Sequence, residues 1–403
     1  MSMEAQMALA REAMAGAAAA APGGAPGADG GKPQEERTTY GGLDATNRPQ
    51  ILEHVHKSLA LTVYDTKWVP LSARFVVLGS HARGSGALQV YELDGSGVKL
   101  LTEAESASPL RCGSFGASSL TDRHIATGDF AGTLASWDLE RLASPVWKVQ
   151  AHGGIINAMD AMGGQRRGYG APEIVTGARD GRVCVWDPRQ RDAPVAAFEP
   201  PAGLEAVPDC WSVSFGDSHC DDDRSVLAGY DNGDVKLFDL RNGQVRWEKN
   251  VKNGVCAIEF DRKDIHMNKC AVATLEGKFH VFDMRTRHKE KGYASVAEKF
   301  PTGATLWGTR HLPQNRDLFM VGGGDGTVSL YKVRACRAGR ARARRARNEL
   351  TLLMQMPPFF DGRTLTCAPV RARQRARVWA CTVLVPRPTP CAGRRGPRLR
   401  RVW

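Results

Sequence analysis

The centre of the chain alternates short apolar runs with glycine-containing turns. The runs are rich in Val, Ile, Leu and aromatic residues, and three of the turns read Asp-Gly or Asn-Gly. Such dipeptides supply the positive φ angles that a tight β-hairpin requires. The run Val183–Trp186 is apolar on both alternating faces, which is typical of a strand covered on both sides. The pattern predicts an all-β structure built from repeated hairpins.

The hairpin unit recurs six times along the chain. In each copy a glycine stands six positions before a terminal acidic residue or its substitute; these glycines are Gly86, Gly132, Gly181, Gly233, Gly277 and Gly326. The terminal residues are Glu92, Asp138, Asp187, Asp239, Asp283 and Lys332, at intervals of 44 to 52 residues. This period is close to one blade of a WD-repeat β-propeller. One unit cannot bury both of its faces alone, so we expect the units to form a ring.

The third unit carries the most complete set of polar residues. His152 precedes the unit, Thr176 lies in its first hairpin strand, Asp180 in its turn and Trp186 in its second strand. This set resembles the buried hydrogen-bond relay that ties the turn to the sheet in WD-repeat proteins. A catalytic interpretation of His152 and Asp180 is less favoured, because no nucleophile accompanies them. We expect a fully satisfied structural network here.

The positive charge is confined to one end of the chain. Residues 334–403 hold 18 arginines, no lysine and two acids, a net charge of +16, whereas the whole chain carries +12. The remaining residues therefore carry −4, and the high isoelectric point gives no argument for nucleic-acid binding by the body. We expect residues 1–47 to form a disordered Ala/Gly/Pro-rich arm, residues 48–333 a propeller, and residues 334–403 a disordered or aberrant tail.

Sequence motifs for catalysis, export and membrane insertion are missing. The chain has no P-loop and no Gly-x-Ser-x-Gly elbow, and its ten cysteines include no Cys-x-x-Cys pair. It has no run of about 20 apolar residues and no secretory signal pattern. We therefore expect a cytoplasmic protein with reduced thiols that is not an enzyme, uses no cofactor or metal, and does not contact membranes.

Several runs outside the repeat pattern resemble one particular group of WD-repeat proteins, the dynein axonemal assembly factors. The resemblance covers residues 48–333. Its most specific segments include Asp65–Pro70, Ala171–Gly177, Asp180–Gln190, Leu275–Arg285 and His311–Arg316. These segments fall partly in loops that a generic hairpin repeat does not dictate.

The resemblance implies a seven-bladed propeller in the cytoplasm. It implies action together with a prefoldin-like and RuvB-like ATPase co-chaperone complex. It also implies that the clients are axonemal dynein heavy chains, whose arms are assembled before transport into cilia. The protein would then be a non-enzymatic interaction scaffold.

The chain departs from this group after Val333. Six blades are recognisable, but the position of the seventh is Arg/Ala/Pro-rich, so we expect an incomplete or aberrant seventh blade. We expect Glu349–Met356 to be the outer strand of the sixth blade, Arg377–Val385 to be a lone strand, and Ile51–Val55 to close the last blade. An exposed sheet edge would follow from the missing strands.

Two alternative functions come from other features. Arg189, Arg241 and Arg285 each follow an aromatic-Asp-x pattern, which predicts a local Asp–Arg pair on the rim. The same pattern is used by WD-repeat substrate receptors that dock on the adaptors of cullin ubiquitin ligases, which gives the first alternative. The second is association with nucleic acid through the arginine-rich tail, whose affinity would fall steeply with salt.

Overall fold

The computed structural model describes residues 50–335, 348–356 and 377–384, except residues 96, 166, 167, 169, 202, 204, 221–223, 264 and 314. Every regular element among these residues is a β-strand. The expected arm at residues 1–47 lies outside the described residues, as does most of the tail expected at residues 334–403. The all-β prediction is confirmed.

Twenty-four strands form six antiparallel sheets of four strands, and the strands of each sheet pair in chain order. The first sheet contains β2 (Thr62–Trp68), β3 (Arg74–Ser80), β4 (Gly86–Asp94) and β5 (Gly97–Ser106), and the second contains β6 (Leu110–Ser114), β7 (Ile125–Asp129), β8 (Thr133–Trp137) and β9 (Trp147–Gln150). The third contains β10 (Ile156–Met162), β11 (Glu173–Ala178), β12 (Val183–Trp186) and β13 (Ala196–Phe198), and the fourth contains β14 (Cys210–Gly216), β15 (Ser225–Tyr230), β16 (Asp234–Asp239) and β17 (Gln244–Asn250). The fifth contains β18 (Val255–Phe260), β19 (Lys269–Thr274), β20 (Lys278–His288) and β21 (Gly292–Lys299), and the sixth contains β22 (Leu306–Leu312), β23 (Asn315–Gly323), β24 (Val328–Ala335) and β25 (Asn348–Met356).

In the fourth and fifth sheets the second strand is the most deeply buried, and the outer strand is the most exposed. Every residue of β15 and of β19 is buried, whereas β17 contains no buried residue. This gradient explains why the apolar runs lack strict alternation, since both faces of the middle strands pack against neighbouring sheets. The repeated hairpin seen in the sequence therefore corresponds to the second and third strands of each sheet.

Glycine conformation in the hairpin turns follows the predicted pattern in five of the six sheets. Gly132, Gly181, Gly233, Gly277 and Gly326 have φ angles between +67° and +89°. In the first sheet Gly84 has the positive φ angle, +92°, and Gly86 instead begins β4. The expectation that Gly86 is the turn glycine is wrong, because the three additional residues of this copy move the turn upstream.

The six sheets are arranged in a ring, as predicted for a propeller. The first strands of consecutive sheets contact each other in the order β2, β6, β10, β14, β18 and β22. The apolar core lies between sheets: for example, Val175 and Val185 of the third sheet form one cluster with Phe215, Val226 and Phe238 of the fourth. Burial of large side chains of this kind contributes about 1.5–3 kcal/mol per residue.

The described residues contain no seventh four-stranded sheet, but two further strands form a two-stranded sheet. Strand β1 (Gln50–Ser58) pairs antiparallel with β26 (Arg377–Leu384). The strand expected at Arg377–Val385 is present, but the expectation that it is alone is wrong, because the unpaired edge of β1 takes it as a partner. The expected outer strand of the sixth sheet is confirmed as β25, which pairs with β24.

Candidate functional site

The antiparallel order places the connections of each sheet at two opposite ends. The turn between the second and third strands lies at the same end as the connection between consecutive sheets, and we name this end the turn face. For example, the backbone N–H of Phe130, after β7, donates to the carbonyl of Pro109, before β6, at 3.0 Å. The remaining connections lie at the other end, which we name the opposite face.

The structure brings His152, Thr176, Asp180 and Trp186 together in one hydrogen-bond chain. His152 Nδ1 lies 3.2 Å from both carboxylate oxygens of Asp180, and His152 Nε2 lies 2.8 Å from Thr176 Oγ1. The indole N–H of Trp186 donates to the same hydroxyl oxygen at 3.2 Å. If His152 Nδ1 carries the proton, Thr176 donates to Nε2 and accepts from Trp186, which satisfies every group.

The carboxylate of Asp180 connects this chain to the backbone of the turn face. It accepts the backbone N–H of Gly153 at 3.1 Å and that of Arg182 at 3.0 Å. Burial raises the pKa of Asp180, but the hydrogen bonds from His152 and from the backbone of Arg182 and Gly153 together outweigh it, so the pKa lies below its ordinary value. His152 and Thr176 are both buried. The arrangement can hold the turn on the sheet, and it presents no accessible nucleophile.

A reduced form of the relay is present in the second sheet. Trp137 Nε1 donates to Thr127 Oγ1 at 2.9 Å, as Trp186 does to Thr176. The histidine would stand at position 108 or 109 of the second sheet, but these positions hold Ser108 and Pro109. Only the tryptophan–threonine bond therefore remains in the second sheet.

Two of the three predicted rim arginines pair with the aspartate two positions earlier. Arg189 donates to Asp187 through Nε at 3.0 Å and through Nη2 at 2.6 Å. Arg285 donates to Asp283 in the same two-pronged way, with both distances 2.9 Å. The hydrogen bonds from Arg189 lower the pKa of Asp187 below its ordinary value, although burial opposes this.

Arg241 occupies the equivalent position but engages its aspartate differently. Its backbone N–H donates to Asp239 at 3.0 Å, and its side chain is exposed. Arg189 and Arg241 follow the third strand of their sheets, and Arg285 lies in the last part of β20, so all three lie towards the opposite face. The structure therefore places the three arginines at equivalent positions on the third, fourth and fifth sheets.

Buried and half-buried carboxylates link neighbouring sheets at their inner strands, a feature that sequence reasoning missed. Asp160 on β10 accepts the backbone N–H of Phe215 on β14 at 2.8 Å, and Lys263 Nζ lies 2.5 Å from its other oxygen. Glu259 on β18 accepts the backbone N–H of His311 on β22 at 2.5 Å. Each carboxylate thus satisfies a donor that the neighbouring sheet's inner strand leaves free.

The pKa of Glu259 is strongly lowered by its neighbours. Burial alone would raise its pKa, but the charge of Arg310 and the hydrogen bond and charge of His311 lower the pKa to about 2. Arg310 Nη1 donates to Glu259 Oε1 at 3.1 Å. The charged form of Glu259 is therefore part of the folded state at neutral pH.

A β-bulge interrupts the first strand of every sheet at the same place near the turn face. The bulged residues are Tyr64, Arg111, Asn157, Trp211, Cys256 and Trp307. A bulge redirects one side chain relative to its strand. The six bulges therefore place six side chains of five residue types in a ring at the inner edge of the turn face, which we name the bulge ring. No shared residue type marks these positions in the sequence.

Among the described residues, no group of three or more His, Cys, Asp or Glu side chains is arranged to hold a metal ion. The described part of the chain also contains no helix that is long and apolar enough to cross a membrane. The arginine-rich run at residues 337–347, on which the nucleic-acid alternative rests, lies outside the described residues.

Comparison with known proteins identifies close relatives. The chain is 60% identical over 290 residues to dynein axonemal assembly factor 10 of Chlamydomonas reinhardtii, which covers 72% of this chain and 81% of that protein. It is 57% identical over 290 residues to the Homo sapiens protein of the same name, with the same coverage, and 27% identical over 321 residues to that of Dictyostelium discoideum, covering 71% of this chain and 84% of that protein. No protein-family model matches the chain. A six-bladed ring whose sequence agrees this closely over most of the relatives' length belongs to the dynein axonemal assembly factor 10 family.

Proposed function

We propose that the protein is a non-enzymatic interaction scaffold for the preassembly of axonemal dynein arms in the cytoplasm. It acts together with a prefoldin-like and RuvB-like ATPase co-chaperone complex, and dynein heavy chains are its clients. The observation that carries this proposal is the 60% identity to a protein named for dynein assembly, sustained over 290 residues.

The geometry supports a binding role more than a catalytic one. The pair His152–Asp180 resembles catalytic machinery, but its hydrogen bonds stabilise a turn. Among the described residues, His152 Nδ1 and Nε2 contact only Asp180 and Thr176. A propeller instead offers two loop-covered faces and a rim on which other polypeptides can be held.

Affinity purification from ciliating cells tests the proposal. The full-length chain carries a tag at its natural expression level, and the same tag on an unrelated protein serves as the control. We expect subunits of the co-chaperone complex and axonemal dynein heavy chains to be enriched with the chain and not with the control. Absence of both groups would contradict the proposal.

The side chain of Arg241 supports a second candidate function, that of a substrate receptor for a cullin-type ubiquitin ligase. Arg189 and Arg285 are held by their own aspartates, and we propose a local structural role for these two. Arg241 is exposed and bonds Asp239 only through its backbone among the contacts described here, so its guanidinium is available to a partner.

Binding of purified cullin adaptor to the unmodified chain and to single variants tests this second candidate. Arg241→Ala is expected to abolish adaptor binding, whereas Arg189→Ala, which removes a locally paired arginine, is expected to weaken it less. If the unmodified chain does not bind the adaptor, the candidate is excluded.

A further inference from the structure

Three large apolar side chains are exposed on the turn face of the fourth to sixth sheets. Trp307 is 46% exposed, Val207 43% and Leu275 37%. Trp211, a partly buried member of the bulge ring, lies in the same region. We name Val207, Trp211, Leu275 and Trp307 the turn-face patch. Exposed aromatic and aliphatic groups concentrated on one face are typical of a binding surface.

Two glycines leave the space in which the two indole rings of the patch lie against the backbone. A Cβ atom on Gly254 would lie 2.8 Å from the Trp211 ring, and one on Gly324 would lie 2.9 Å from Trp307 Nε1. Any side chain at these two positions would push the rings away. One side of each ring therefore packs against the backbone of the turn face. This contact fixes the orientation of the rings and leaves their other side accessible.

The connections that carry the patch are acidic. They contain Glu205, Asp209, Asp231, Glu276 and Asp325, opposed locally by Lys252, by Lys278 at the start of β20 and by Arg179, whose Nε lies 4.0 Å from Asp209. The negative charge at the patch thus exceeds the positive charge that the neighbouring loops supply.

Asp209 and Asp231 show that this negative charge is incompletely compensated. Burial and, after it, the charge of Asp231 raise the pKa of Asp209 above its ordinary value. Asp231 Oδ1 is buried and accepts no hydrogen bond from the described part of the chain. The described part of the chain therefore compensates the charge of the Asp231 carboxylate only in part.

In the other half of the bulge ring, the side chains of the first and second sheets pack against neighbouring side chains. The ring of Tyr64 lies 5.2 Å from that of Phe130, and the guanidinium of Arg111 lies 5.3 Å from the Tyr64 ring centroid. These side chains cover one another, so the accessible apolar area is concentrated over the fourth to sixth sheets.

We propose that the turn-face patch binds an extended segment of a partner protein in which an apolar side chain is flanked by lysine or arginine. The apolar side chain packs against Trp307 and Leu275, and the flanking cation pairs with Asp231. Charge complementarity selects this occupant over acidic segments and over anionic surfaces such as nucleic acid or membrane headgroups. The proposal concerns the chemistry of the patch and holds whether or not the partner is a dynein chain.

Synthetic peptides test the proposal directly. Nine-residue peptides with a fixed central Leu or Trp carry either Lys/Arg or Asp/Glu on both sides, and fluorescence anisotropy measures their binding to the full chain. We expect the basic peptides to bind at least about tenfold more tightly than the acidic ones, with affinity falling as salt rises. Equal binding of both sets, preference for acidic peptides, or no binding would overturn the proposal.

Variants locate the binding to the patch. Trp307→Ala is expected to weaken binding of the basic peptides by about tenfold or more, as truncation of a central aromatic anchor does. Trp68→Ala is the matched control, because Trp68 is 54% exposed but lies at the opposite face. Circular dichroism confirms that each variant is folded. An equal loss in both variants would contradict the assignment.

A charge reversal separates recognition from structural damage. Asp231→Lys is expected to shift the preference from basic to acidic peptides, whereas a variant that merely disturbs the fold would weaken both sets alike. Retention of the original preference by Asp231→Lys would overturn the pairing assigned to this carboxylate.

Discussion

Asp160 in the third sheet accepts a hydrogen bond from the backbone N–H of Phe215 in the fourth sheet, with 2.8 Å between nitrogen and oxygen. The bond crosses the boundary between two sheets at their inner strands. Glu259 makes the corresponding bond to His311 between the fifth and sixth sheets. Neighbouring sheets are therefore held in register by directional polar bonds as well as by the apolar core between them.

Removal of the Asp160 carboxylate is expected to destabilise the fold. Asp160→Ala leaves the Phe215 N–H and the Lys263 ammonium without their partner, and we expect the free energy of unfolding to fall by about 2–4 kcal/mol. Asp160→Asn keeps a hydrogen-bond acceptor and is expected to cost less. Urea denaturation measures both variants, with Asp192→Ala as an exposed aspartate control. A loss for Asp160→Ala no larger than that of the control would contradict this role.

Glu259 is expected to make stability depend on pH in the acid range. Its pKa is about 2 in the folded state and 4.5 ordinarily, so its contribution is fully present above about pH 4.5. The contribution is lost as the pH falls from about 4.5 towards 2, and it amounts to at most about 3 kcal/mol. The difference in unfolding free energy between the unmodified chain and Glu259→Gln should therefore be larger at pH 6 than at pH 3. A difference that does not change with pH would show that the charge of Glu259 plays no part.

The threonines of the second and third sheets offer a matched pair for testing the relay. Thr176→Val leaves both His152 Nε2 and Trp186 Nε1 without a partner, and we expect a loss of about 2–4 kcal/mol. Thr127→Val breaks only the bond from Trp137 and is expected to cost about 1–2 kcal/mol. Chemical denaturation compares the two, and equal losses would indicate that His152 adds nothing to the tryptophan–threonine bond.

Two glycines with positive φ angles separate backbone strain from steric conflict. A Cβ on Gly132 (φ +85°) would lie 2.3 Å from the carbonyl oxygen of His152, whereas one on Gly243 (φ +67°) would meet nothing within 4 Å. We expect Gly243→Ala to cost about 1 kcal/mol from strain alone, and Gly132→Ala clearly more. Thermal unfolding measures both variants. Similar melting temperatures would mean that the turn yields without disturbing the His152 loop.

The repeat architecture was predictable because its signals are local. The positive φ angle at Gly181 and the burial of Trp186 follow from a hairpin that must turn tightly and pack on both faces. The set of His152, Thr176 and Asp180 stood out for a different reason, namely its resemblance to the structural relay of WD-repeat proteins.

The inter-sheet bonds and the bulge ring were not predictable in this way. Asp160 and Phe215 are 55 positions apart, and nothing near either residue signals the other. The bulged positions carry residues as different as Arg111, Cys256 and Trp307, because the register shift belongs to the backbone of six closely packed inner strands. The sequence shows that the hairpin repeat ends after the sixth unit, but it does not show that β1 pairs with β26.

The abundance of axonemal dynein heavy chains in cells that lack this protein tests the central claim most directly. Quantitative mass spectrometry of isolated axonemes compares unmodified ciliating cells, cells lacking the chain, and the latter supplied again with the full-length chain. A scaffold for dynein preassembly predicts strong loss of the heavy chains without the protein and their return on resupply. Unchanged heavy-chain abundance in the axonemes of cells lacking the chain would contradict the account.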